Sequence, residues 1–268
     1  MPRSLILFLL PRGRIPEPEE ILDKLEGASL KELRAYFEEK GDKVGLRRLD
    51  SLSKIIVGLN GRFSKVRATS KDARLIFSYL FRGRYSYISG GERRIGEYEV
   101  LMEHNIWVRT LSGLMVLFDV PKRRIAYALA QLISLRLYGD IVLVNPLHLE
   151  RSHLSSIERW VTSKEHEVTG NIIRATFRRA QVNGTILDEV SIKKEGLDVT
   201  EAYFKVKSSA HEISALTFVT PLLPEIGRRV TCKLDNRGGL MIYTPNLRDV
   251  DIEVIISRLE RVLGLITS

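Results

Sequence analysis

The chain holds a single cysteine, Cys232, in 268 residues. One thiol cannot build an intrachain disulfide framework or a cysteine-rich zinc ribbon, so no covalent staple supports the fold. Long apolar runs are missing too. The N-terminal run Leu5–Leu10 is far shorter than the ~18 residues a membrane span needs. Pro11 and Arg12 end it too early for the apolar core of a secretory signal. Glutamine occurs only at Gln131 and Gln181, and Arg outnumbers Lys 28 to 14, a thermophile-like composition. These absences exclude a disulfide scaffold and a helical membrane protein. They set the expectation of a soluble, cytoplasmic protein with no membrane partner.

Signatures of catalysis are equally scarce. No glycine is followed by Lys and then Ser or Thr, so there is no phosphate-binding loop of that kind, and no Gly-x-Ser-x-Gly elbow occurs. His148 and His153 are five apart, not the i, i+4 spacing of a helical zinc pair. Cys232 lies in a strand-like segment and reads as a structural thiol. No catalytic residue, metal ligand or cofactor motif is assigned. The best carboxylate group is Asp188, Glu189, Asp198 and Glu201 with Lys205, where Glu201 and Lys205 would share one face of a strand. It is the only footing for a metal-dependent nuclease.

What the chain does have is apolar content and positive charge. Hydrophobic residues are 44%, enough for one or two cores, and the net charge is +9, which calls for an anionic partner. The charge is concentrated. Residues 62–94 carry nine bases against Asp72 and Glu92, or +7 in 33 residues. Aromatic residues interleave there, most densely in Phe81-Arg82-Gly83-Arg84-Tyr85-Ser86-Tyr87. Arginine forks pair with phosphates and rings stack on unpaired bases. The candidate nucleic-acid-binding residues are Arg62, Lys65, Arg67, Arg74, Arg82, Arg84, Tyr85, Tyr87, Arg93 and Arg94. Lys122, Arg123 and Arg124 join them, because cations opening a helix oppose its dipole and invite an anion. Smaller clusters stand at Arg174, Arg178 and Arg179, expected on a 171–180 helix, and at Arg228, Arg229 and Lys233. Residues 17–39 are acidic instead, with eight acids against three bases, and suit a protein partner or a homodimer contact.

Periodicity predicts a short strand at Leu5–Leu10 and two helices within 18–40, broken near Gly27. Ser29 and Glu32 have capping-box spacing. Asn60-Gly61 reads as a hairpin turn after an apolar strand. Two blocks then repeat in order. Residues 65–77, KVRATSKDARLIF, match 205–218, KVKSSAHEISALTF. Residues 107–118, WVRTLSGLMVLF, match 230–243, VTCKLDNRGGLMIY. Each second block is a hairpin, turning at Ser112-Gly113 or Asn236–Gly239, and each leads into an amphipathic helix that stops at Gly139 or Gly264. Helical stretches precede both, at 18–40 and 154–180. The expected fold is therefore α+β, with two pseudo-repeated lobes, each a curved antiparallel sheet packed with helices. Residues 1–140 form the first lobe, 141–153 a connector and 154–268 the second lobe. The first lobe has an insertion at 78–105, read as a helix end, a basic aromatic loop and a strand near 94–103.

The closing units, Ser112-Gly113-Leu114-Met115-Val116 with Pro121-Lys122 and its helix, and Gly239-Leu240-Met241-Ile242 with its helix, make the chain resemble the TATA-binding-protein family. The resemblance covers about 30 residues in each half and implies the duplicated, saddle-like fold. No paired Phe wedges stand on the corresponding strands, so it does not extend to TATA-type recognition. The expectation is a non-enzymatic nucleic-acid-binding protein, DNA ahead of RNA, held by phosphate contacts. A protein–protein adaptor or homo-oligomeric scaffold is the second reading, and the nuclease the third.

Overall fold

The computed structural model describes residues 2–182, 184–194 and 196–266. The apolar N-terminal run is β1 (Arg3–Leu9), followed by α1 (Pro18–Leu25), α2 (Leu30–Glu39) and α3 (Lys43–Ser53). Each helix starts where local chemistry satisfies its first N–H groups. Pro18 opens α1, where a missing N–H costs nothing. In the capping box of α2, the Ser29 N–H donates to Glu32 Oε1 at 3.0 Å. The Asp42 carboxylate caps α3 by accepting from the N–H groups of Val44 and Gly45. Next come β2 (Arg62–Ala68), β3 (Asp72–Ser89), β4 (Glu92–Arg109), β5 (Leu114–Phe118) and α4 (Arg123–Tyr138). The chain continues through β6 (Asn145–Pro146), α5 (Arg151–Thr162), β7 (Asn171–Val182), β8 (Thr185–Lys193), α6 (Glu201–Ser209), β9 (Glu212–Val219), β10 (Thr231–Asp235), β11 (Gly239–Ile242) and α7 (Asp249–Val262). The protein is thus mixed helix and antiparallel sheet, with seven α-helices among the described residues. No helix of these residues is long and apolar enough to cross a membrane.

Two compact units divide the chain: Phe8–Asn145, and Met1–Leu7 with Pro146–Ser268. In the Phe8–Asn145 unit, β2, β3, β4 and β5 pair in sequence order. One face of this meander is the core face. Leu75, Phe77 and Tyr79 of β3 lie there beside Phe63, Ile106, Val108, Met115 and Leu117, all buried. α1 packs on β2 and β3, and α2 and α4 pack on α1 or one another, closing the core with Leu25, Leu33, Leu129 and Ile133. Each such side chain contributes about 1.5–3 kcal/mol by leaving water. The opposite face holds a buried ion pair, Arg74 Nε to Asp72 Oδ2 at 2.8 Å, with the guanidinium 4.3 Å from the centre of the Trp107 ring.

In the other unit, β8, β7, β9, β10 and β11 are neighbours in that order, and the first residues of β1 pair with β11. Phe177, Phe218, Cys232, Leu234 and Ile242 are buried in this sheet, and Tyr203 of α6 packs on Phe177 with ring centres 5.7 Å apart.

Four local expectations are corrected. Residues 171–180 are strand, not helix: they form most of β7, and Arg174, Arg178 and Arg179 do not share a helical turn. Residues 201–205 open α6 rather than a strand, with Thr200 accepting the Tyr203 N–H as N-cap. Ile55–Val57 is not a hairpin strand before Asn60-Gly61; a 3-10 turn fills Val57–Leu59, and only Ile56 bridges to Phe81. Residues 78–105 contain no helix end and no basic loop. They are the greater part of one long hairpin, β3–β4, paired without interruption from Asp72↔Arg109 to Ser89↔Glu92.

Candidate nucleic-acid interface

The β3–β4 hairpin turns at Gly90-Gly91, where φ is +62° and +80°. Only glycine adopts two such residues in succession at no cost, and this is the tight turn that matches strand twist. Directly opposed residues share a face, and faces alternate along each strand. From Ala73 to Tyr79 one face is core. Beyond Tyr79 the same face runs on outside it, carrying Phe81, Tyr98, Tyr85 and Tyr87, with Arg94 opposite Tyr87. The rings form a row with centre-to-centre steps of 6.5, 6.3 and 5.7 Å. Two glycines make the row. Tyr98 lies over Gly83 and Tyr85 over Gly96, their cross-strand partners, and a Cβ at either glycine would collide with the ring. Tyr85, Tyr87 and Tyr98 stay 43–51% exposed, so the rings are flattened on the strand yet open to solvent.

The other face of the hairpin is electrostatically paired. Arg82 donates to Glu99 at 2.8 Å and Arg84 to Glu97 at 2.9 Å. Over residues 72–109 six bases oppose five acids, for a net charge of +1. The +7 of residues 62–94 is therefore not a free positive surface, because pairing brings Glu97, Glu99 and Glu103 beside it. Apolar side chains share this face, with Ile88 79%, Ile95 71% and Leu101 62% exposed.

A cleft of about 540 Å³ opens at the base of the hairpin. Lys54, Ile55, Phe81, Arg82, Gly83, Arg84, Glu97, Tyr98 and Lys122 line it. Lys54 follows the last residue of α3 and Lys122 precedes the first of α4. The Arg82 N–H donates to the Ile55 carbonyl at 2.8 Å, fixing the Lys54–Ile55 backbone against the edge of β3.

The candidate residues thus separate. Arg82, Arg84 and Lys122 meet at the cleft, and Tyr85, Tyr87 and Arg94 belong to the ring row. Arg93, opposite Ile88, donates to Ser86 at 3.4 Å on the paired face. Arg62 and Arg67 are exposed on β2, outside the cleft lining. Lys65 is occupied: its ammonium is 2.8 Å from both Asp23 and Glu26 of the acidic N-terminal segment, and those bonds raise its pKa. Arg74 is buried against Asp72 and is structural. Arg124 donates to Ser51 at 2.8 Å in the last turn of α3, where the negative end of a helix dipole favours a cation. Arg123 is half-buried and has contacts of its own. The triplet is therefore only partly available to an anion.

Three contributors were not among the candidates: Lys54 in the cleft, and Phe81 and Tyr98 in the row. Tyr98 was legible once Gly90-Gly91 is taken as a tight turn, since the register then places it opposite Gly83. The proposed nuclease carboxylates are not assembled: no group of three or more His, Cys, Asp or Glu side chains suited to a metal occurs among the described residues. Asp198 instead accepts the Ile172 N–H at 3.0 Å. His153 likewise has a structural task, accepting the Glu150 N–H at the start of α5. Neither a protein-family model nor a curated protein matches this chain.

Proposed function

We propose that the protein binds nucleic acid through an unpaired strand laid along the aromatic row of the β3–β4 hairpin. The observation that carries this is the row itself: four rings along one face of a two-stranded ribbon, two of them seated on glycines and three of them exposed. Aromatic platforms bind bases without sequence preference because every base has a π-face. The 5.7–6.5 Å ring steps are nearly twice the rise of about 3.4 Å per nucleotide along a duplex strand. Bases matched to these rings must be spread apart, which favours a single strand over a duplex. Cations flank both ends of the row, with Arg94 at the tip and the cleft group at the base.

The same proposal includes the architecture expected from the repeat. Each unit ends in a three-strand meander and a long helix, β3-β4-β5-α4 in one and β9-β10-β11-α7 in the other. This supports two related lobes and a TATA-binding-protein-like plan. The first matched block supports it less, because Lys65-Val66-Arg67 is strand while Lys205-Val206-Lys207 is helix.

The test is hairpin truncation. Replacing Gly83–Tyr98 by Asn-Gly closes the ribbon at the Arg82–Glu99 pair and removes three of the four rings. Binding of single-stranded DNA and RNA should be lost while the helical circular dichroism is retained. Retained binding sinks the proposal. A second reading, a self-associating or adaptor protein, has its own observation in exposed Ile88, Ile95 and Leu101 on the opposite face. Light scattering of the intact and truncated chains checks it: a strict monomer in both, with no change, removes the self-association form.

A further inference from the structure

We infer that the cleft at the hairpin base receives the terminal phosphate of the bound strand, so that the protein reads a phosphorylated nucleic-acid end. This rests on the ring-row reading and adds a ligand group and a polarity to it.

Three observations converge. The first is continuity: Phe81 and Tyr98 line the cleft and also form the inner half of the row. The second is that the row has a blind end. The next ring inward, Tyr79, is 2% exposed and its hydroxyl is bonded to His104 in the core. The Lys54–Ile55 backbone, pinned to the Arg82 N–H, crosses the strand edge at this point. A strand stepping along Tyr87, Tyr85, Tyr98 and Phe81 has no path beyond Phe81, and its last phosphate is left in the cleft.

The third is charge. An internal phosphodiester carries one negative charge, whereas a phosphomonoester carries about −1.5 to −2 at pH 7 with three acceptor oxygens. The cleft lining offers two cations from outside the ion-paired face of the hairpin, Lys54 and Lys122. Lys54 and Lys122 form no side-chain ion pair among the described residues, so their charge is uncommitted. Arg82 and Arg84 border the cleft, but their guanidinium groups belong to the opposite face, paired with Glu99 and Glu97. A volume of about 540 Å³ suits a nucleotide-sized group rather than a bare ion.

The experiment uses the full chain and an internally labelled thymidine oligonucleotide in four forms: 5′-phosphate, 3′-phosphate, hydroxyl at both ends, and circular. Fluorescence anisotropy should show one phosphorylated end binding about 5-fold or more tighter than the hydroxyl form, as two added exposed charge contacts would give. Which end gains identifies the polarity. The Lys54→Ala/Lys122→Ala variant should lose that advantage, so that it binds the phosphorylated and hydroxyl forms equally. Its melting temperature should not change, since both side chains are exposed. Tyr85→Ala should weaken all four forms alike. Equal binding of all four forms to the wild type overturns end recognition and leaves strand binding standing. An advantage that survives in the double variant removes the cleft as its cause. Absence of binding to any form, or indifference to Tyr85→Ala, overturns the ring-row reading and this inference with it.

Discussion

Gly83→Ala separates the ring row from the fold. An added Cβ would sit 2.5 Å from Tyr98 Cε1 and Oη and closer still to Cζ, so the ring must leave the strand surface. Tyr98 is 45% exposed and has room to swing outward. Gly83 is not among the residues with positive φ, so the backbone accepts alanine without strain. Alanine in a strand interior gains roughly 0.5–1 kcal/mol over glycine from reduced backbone freedom. The lost ring contact opposes that gain, and the two nearly cancel. The melting temperature should therefore move by less than about 4 °C. Binding has no such compensation. A base–aromatic stack is worth about 1–3 kcal/mol, and the ring is displaced rather than deleted, so the lower end applies. That is a loss of about 5- to 10-fold in Kd for a hydroxyl-ended single strand. Anisotropy titration with parallel thermal melts measures both quantities. Gly96→Ala should behave alike, because its Cβ would lie 2.5 Å from Tyr85 Cζ. Unchanged affinity in both variants, with the folds intact, refutes the claim that these glycines exist to seat rings for a ligand.

Three further outcomes test the core. Burial disfavours the Asp72 carboxylate, but hydrogen bonds from Thr69 and Arg74 outweigh it and hold its pKa below the ordinary range. Asp72→Asn should cost about 3 kcal/mol in urea unfolding by taking the carboxylate away from a mostly buried guanidinium, without altering strand affinity; a cost under about 1 kcal/mol contradicts the pair's structural role. Burial lowers the His104 pKa, against the raising effects of its bond to the Phe118 carbonyl and of Asp119. The native imidazole stays neutral where the unfolded chain, with a pKa of about 6.5, takes a proton. Unfolding then binds protons, so stability should fall as pH drops from 7 through 6.5 toward the lowered native value; His104→Asn should flatten that part of the profile. The Cys232 thiol is pushed up to about 12 by burial, so a thiol reagent at pH 8 should react at the rate of unfolding, and fast reaction of native protein would refute the packing of β10.

Legibility followed the range of the signals. The capping box Ser29–Glu32, the hairpins around Gly113 and Gly238, and the helices α4 and α7 were readable because each is set by neighbouring residues. β7 was misread for a definite reason. Register shifts between Ile172 and Arg174 and between Thr176 and Phe177 leave Ile172, Ala175, Phe177 and Ala180 as the buried positions. Bulges stretch the strand period from two toward three, which mimics a helix. The charge count at the candidate site was illegible for another reason. Counting charge in a window that stops at Arg94 treats neighbours in sequence as neighbours in space. A hairpin sets Arg82 against Glu99 and Arg84 against Glu97, with the acids just outside the window. The corrected count leaves aromatic surface, not net charge, as the dominant feature of the ribbon. Phosphate contacts should then be few, and log Kd should depend only weakly on log salt, with a slope set by about two or three cations rather than by seven. A steep slope would restore the electrostatic reading and demote the rings to solvent-exposed strand packing.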